Sequence, residues 1–126
     1  MKFINTKKAP GAIAPYSQGV VFLDGRLIQT CGQIPMDSAG KVVHGEIEEQ
    51  TKQALTNIEE ILKAAGSNKD KIVKITIFLS DLSNFERMNS IYAEFLGDHR
   101  PVRSTVEVSR LPKDVLIEIE ALAEIQ

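Results

Sequence analysis

The chain has 126 residues, 43% of them apolar and 25% charged, with fifteen basic against seventeen acidic side chains and a formal charge of −2. That length supports one ordinary core over residues 1–126, and the balance excludes a disordered or membrane-spanning chain. Scattered lysines and arginines give no basic stripe, so nucleic acid is not an expected partner. The single cysteine, Cys31, leaves no internal disulfide or cysteine metal cage and fits a reducing, cytoplasmic setting. The opening MKFINTKKAPG lacks a signal-peptide core, and no stretch approaches a membrane span.

In chain order, residues 19–35 read as two apolar strands around Asp24-Gly25, a dipeptide that tolerates the positive φ of a tight hairpin. A turn at 38–41 follows. Ile47, Thr51, Ala54, Leu55, Ile58, Ile61, Leu62 and Ala65 then recur at helical spacing over residues 46–65. Glu46, Glu48 and Glu49 suit the positive end of that helix, and Gly66 is placed to stop it. The β-branched run 72–79 predicts an interior strand reached by a helix crossover. Ser83 opens a second helix with Glu86 three residues on, as in a capping box, and Phe85, Met88, Ile91, Tyr92 and Phe95 form its buried stripe up to Gly97. Residues 102–109 and 115–123 are the last two strands, joined through Leu111-Pro112-Lys113-Asp114. The order β-β-(β)-α-β-α-β-β describes an α+β domain without repeat, linker or low-complexity segment.

Side chains of a strand alternate between faces. If the last two strands pair so that Val106 and Val108 lie beside Ile117 and Ile119, then Arg103, Thr105, Glu107, Glu118 and Glu120 share the opposite face. Glu107 opposite Glu118 and a shift by two residues fit equally well. Such a face reads either as an ordinary solvated surface or as a site, because an arginine can hold a carboxylate through two parallel hydrogen bonds while a glutamate takes a proton from water.

The stretch RPVRSTVEVSRLPKDVLIEIEA at 100–121 closely resembles the signature of the reactive intermediate deaminase family, RidA, formerly YjgF. The resemblance extends to APYSQG at 14–19, CGQIP at 31–35, QTKQALTNIEEIL at 50–62 and NSIYAEF at 89–95, and so covers nearly the whole chain. It implies a chorismate-mutase-like fold, a mixed sheet with two helices packed on one face. It also implies a homotrimer with sites in clefts between subunits. The implied reaction is hydrolysis of 2-imino acids or their enamines, 2-iminobutanoate and 2-iminopropanoate, to 2-keto acids and ammonia, with no metal or organic cofactor. Carried over by motif, Arg103 grips the substrate carboxylate, and Glu118 positions and activates water with the backbone carbonyl of Thr105 as helper. Tyr16 and Asn89 match pocket-lining positions, and Gly32 matches a glycine whose backbone approaches the ligand. Two positions depart from the commonest pattern: Cys31 stands where serine is usual, and Thr105 where cysteine is frequent. A thiol is the weaker hydrogen-bond partner.

His44 and His99 are far apart in sequence and lack neighbouring metal-ligand residues, so they read as surface histidines. Cys31 has no base partner in sequence and reads as a small buried hydrophobe instead of a nucleophile. Tyr16 fits core packing or a pocket wall. The rival function is a non-catalytic 2-keto acid sensor or protein-binding regulatory trimer, for which Arg103 alone suffices.

Overall fold

Eight regular elements form from these patterns in the computed structural model, which describes residues 1–125. They are β1 (Lys2–Ile4), β2 (Gly19–Phe22), β3 (Leu27–Thr30), α1 (Ile47–Ala64), β4 (Ile72–Leu79), α2 (Phe85–Leu96), β5 (Val102–Glu107) and β6 (Ile117–Glu124). The strands make one mixed sheet in the order β1-β2-β3-β6-β4-β5, in which only β4 and β5 run parallel. Both helices pack on one face, as the sequence predicts.

The core lies between that face and the helices. Ile28, Ile75, Ile77, Ile117 and Ile119 from the sheet meet Leu55, Ile58, Ile61 and Leu62 of α1 and Met88 of α2, all fully buried. Each such side chain contributes about 1.5–3 kcal/mol on leaving water. The other face has no helix. It presents Phe3, Val20, Gln29, Leu122, Glu120, Glu118, Lys74, Thr76, Phe78 and the β5 residues Val102, Ser104 and Val106, as the strand registers dictate.

That register overturns the expected pairing of the last two strands. β4 lies between β5 and β6, with Ile75 aligned to Arg103 and Ala121, Ile77 to Thr105 and Ile119, and Phe78 to Val106 and Glu118. Arg103, Thr105 and Glu107 therefore face the helices, whereas Glu118 and Glu120 project from the uncovered face. Consecutive strands are spatial neighbours only in part of the known cases. Here the α2 crossover lays β5 along one edge of β4, and the 108–116 connection carries the chain back across to the other edge.

Local signals fared better. Leu23, Asp24 and Gly25 all adopt positive φ in the first hairpin, and Gly66 ends α1 at φ +86°. At the start of α1, Glu49 Oε2 accepts from the Glu46 N–H at 3.0 Å. The second helix differs from expectation. A single turn at Leu82–Asn84 precedes α2, Asp81 accepts from the Ser83 N–H at 2.9 Å, and Glu107 accepts from the Leu82 N–H at 2.8 Å. Ser83 is thus capped by its predecessor and is not itself the cap. The bracketed strand before α1 is only a Met36–Val42 bridge, and β1 is an addition that Phe3 and Ile4 signal too briefly to be read.

Candidate functional site

Arg103 is held between β5 and α2. Phe85 and Tyr92 are seven residues apart, two helical turns, so their rings lie on one stripe of α2. The Arg103 guanidinium carbon lies 4.7 Å from the Tyr92 ring centre and 5.5 Å from that of Phe85. Aromatic faces attract a cation at this range. On the same stripe and the facing strand, Asn89 Oδ1 and Thr105 Oγ1 are buried without a hydrogen-bond partner. Burial pushes the Tyr92 phenol up, and Arg103 opposes the rise first by its charge and then by hydrogen bonding to the hydroxyl. Thr105, Phe85, Ser83, Leu82 and Glu86 line an open cleft of about 450 Å³ beside them.

β5 is an edge strand, paired only with β4. The Val108 N–H bonds to Leu79 O at 2.8 Å, so the even-numbered residues turn their main-chain groups to β4. By alternation, Arg103 and Thr105 direct theirs to the open edge. The Thr105 carbonyl thereby has the accessibility that a helper to bound water requires.

Glu118 belongs to a second cluster on the uncovered face. Gln33 and Ile119 exchange hydrogen bonds of 2.7 and 3.0 Å, which anchors the 31–33 segment beside β6. The Glu118 carboxylate lies against Gly32 in this arrangement. Burial raises its proton affinity above the ordinary glutamate range, and neighbouring Glu120 adds to the rise. Cys31 is half-buried and accepts from Gln33 Nε2 at 3.2 Å. Burial pushes its thiol up, Gln33 opposes, and Glu118 reinforces. A protonated thiol is a poor nucleophile, but Cys31 is not the small buried hydrophobe that the sequence suggested, since it is half-buried, hydrogen-bonded and set on a cleft wall.

Tyr16, Cys31, Phe3, Val20 and Gln29 line a cleft of about 390 Å³ next to this cluster. The loop bearing Tyr16 is fixed by Gln18, whose side chain accepts from the Thr6 N–H at 2.6 Å and donates to Thr6 O and Pro10 O at 3.0 and 2.9 Å. A third cleft of about 390 Å³, walled by Leu23, Arg26, Lys71 and Ile125, holds none of the candidate residues.

The seven candidates thus fall into two groups. Arg103, Thr105 and Asn89 lie on the helix-covered side between α2 and β5, whereas Tyr16 and Cys31 line the cleft over β1–β3 and the Glu118 carboxylate lies against Gly32, next to Cys31 in the chain, on the uncovered side of the sheet. Sequence reasoning placed Tyr92 and Phe85 in the core stripe without their contact to Arg103, although their seven-residue spacing was the available signal. It also assigned no role to Gln18 and Gln33, although each stands within a motif that carries the resemblance, APYSQG and CGQIP. Among the described residues, no group of three or more histidine, cysteine, aspartate or glutamate side chains is placed to hold a metal, and no helix is long and apolar enough to cross a membrane.

Residues 6–125 match the family model described as endoribonuclease L-PSP. A RutC family protein of Pyrococcus abyssi is 50% identical over 121 residues, covering 95% of this chain and 94% of the relative. The Homo sapiens 2-iminobutanoate/2-iminopropanoate deaminase is 48% identical over 123 residues, covering 97% of this chain and 88% of the relative. In structure, Escherichia coli TdcF with bound serine superposes with a TM-score of 0.94 at 42% identity, with both chains covered in full. The chain belongs to the endoribonuclease L-PSP family, the YjgF/RidA family whose signature its sequence resembles.

Proposed function

We propose that the protein hydrolyses 2-imino acids such as 2-iminobutanoate and 2-iminopropanoate to 2-keto acids and ammonia. The reading is carried by the pair of groups the fold holds ready: a planar cation over the rings of α2, and a carboxylate of raised proton affinity beside Gly32. Arg103 receives the substrate carboxylate through two parallel hydrogen bonds. Glu118 takes a proton from water as the oxygen adds to C2 of the iminium, which gives a carbinolamine. The proton then passes to the nitrogen, the C–N bond breaks, and ammonia leaves as the carbonyl forms and its hydroxyl proton returns to the Glu118 carboxylate, which releases it to solvent. A glutamate whose affinity for a proton is raised is suited to both transfers. The human relative named as such a deaminase supports this substrate class.

Within one chain Arg103 and Glu118 point from opposite faces of the sheet, so the complete site is assembled from two copies. A closed homotrimer repeats that junction three times and places the Arg103 cleft of one subunit against the Glu118 cleft of the next. The uncovered sheet face, on which Phe3, Val102 and Val106 are exposed among polar neighbours, is the surface such an assembly conceals. The formal charge of −2 without a basic stripe gives no comparable support to RNA as substrate.

The test is to generate 2-iminobutanoate with a dehydratase and to follow ammonia and 2-ketobutanoate with and without the protein. Faster release of both is the expected result. Binding of the keto acid without any acceleration would favour the sensor instead.

A further inference from the structure

We infer that Tyr92 is the positioning residue of the arginine site: its ring is the platform that orients the Arg103 guanidinium for a ligand carboxylate. The inference rests on the proposed role of Arg103 and extends it to a residue that the sequence assigned only to the core.

An arginine on an edge strand has four rotatable side-chain bonds and pays for a fixed fork in lost rotamer freedom. Arg103 escapes most of that cost because α2 supplies two faces at one spot, with Tyr92 the nearer at 4.7 Å and Phe85 at 5.5 Å. A cation held over a ring face by attraction to the ring does not depend on its N–H groups for that hold, and those are the groups that a carboxylate needs. Tyr92 is itself immobile. It is 6% exposed and packed in the main core, so the platform is as rigid as the helix.

The experiment compares the parent with Tyr92→Phe, which keeps the ring, and with Tyr92→Leu and Tyr92→Met, which fill the space without one. Two readouts are taken. The first is the NMR shift of the Arg103 side-chain protons, which a ring face moves upfield whether or not any ligand binds. The second is the dissociation constant for 2-ketobutanoate, with KM and kcat for imine hydrolysis, on proteins shown by circular dichroism to be folded. Tyr92→Phe should keep the upfield shift and bind as the parent does. The leucine and methionine variants should lose most of the shift, keeping only what the more distant Phe85 ring supplies, and bind roughly threefold to thirtyfold more weakly, the range of a partly desolvated cation–π contact. Their KM should rise more than their kcat falls, a split that general loosening of the core would not produce.

Parental affinity in a folded leucine or methionine variant overturns the inference, as does a parent whose Arg103 protons show no ring shift. A Tyr92→Phe variant as weak as the leucine variant also overturns it, because the hydroxyl and not the ring would then matter. A parent that shows the shift but binds no keto acid sinks the deaminase reading and leaves the platform standing.

Discussion

Gly32 and Glu118 approach each other so closely that a Cβ built at position 32 would lie 2.1 Å from Glu118 Oε2 and 2.8 Å from its carboxyl carbon. The obstructed group is the far end of a flexible side chain, so Gly32→Ala should fold and melt near the parental temperature while the carboxylate swings aside. Displacing a reacting group by an ångström costs on the order of 10²-fold in rate. The expected outcome is a kcat reduced by about that factor, with keto acid affinity at the arginine cleft changed far less. An alanine variant with parental kcat would show that Glu118 works from another position.

Arg103→Lys keeps a positive charge but loses the planar fork and the broad face that stacks on Tyr92 and Phe85. Binding of 2-ketobutanoate, measured by calorimetry, should weaken roughly tenfold to a hundredfold, the loss expected of a charge-assisted hydrogen bond. Arg103→Ala should be weaker still. Lysine in full possession of parental affinity would remove two-pronged recognition from the account.

Glu118→Gln keeps shape but cannot take a proton, and imine hydrolysis should slow by ~10²–10⁴-fold. The parental rate should rise with pH through a value above the ordinary glutamate range, because burial first and Glu120 second favour the protonated form. The glutamine variant should lack that rise. Stability responds with the opposite sign. Glu118 holds its proton more tightly folded than unfolded, so its contribution is greatest below the unfolded value and is lost as pH climbs through the raised folded value. Chemical denaturation across that window should show the parent losing stability relative to Glu118→Gln. Parallel curves would mean that the buried carboxylate is compensated.

The division of the site between two faces predicts complementation. Arg103→Ala and Glu118→Gln proteins, each nearly inactive, should regain activity when unfolded and refolded together, because any mixed ring of three contains one junction with both native residues. Random mixing restores roughly a quarter of the parental rate in a three-membered ring. Light scattering on the parent should report about three chains per particle, the smallest closed ring beyond a pair. Absence of any recovery from a mixed, folded preparation would return Arg103 and Glu118 to separate functions.

Much of this architecture was legible because the cues were local. The α1 stripe from Ile47 to Leu62 is fixed by a 3.6-residue period, and the Asp24-Gly25 turn by positive φ; neither depends on distant partners. The arrangement of β4, β5 and β6 was not legible in that way. Alternation says which residues of a strand share a side, but the insertion of β4 between two consecutive strands is decided by the α2 crossover, and it turned an apparent common face for Arg103 and Glu118 into opposite ones. Motif resemblance singles out both residues as candidates all the same, since a family signature is read along the chain without regard to which side of a sheet carries each residue. The Tyr92 platform escaped notice for a related reason: a ring at a core position and a ring beneath a cation have the same helical spacing.

A sheet clothed on one side only would, in the proposed trimer, make stability a matter of mass action. Phe3, Val102 and Val106 are 61%, 66% and 44% exposed on the bare side. In that proposed assembly, burial of these side chains against sister chains is free energy that dilution would withdraw. The midpoint of thermal unfolding would then climb with protein concentration, and the abundance of the protein would govern the durability of each molecule as well as the number of sites.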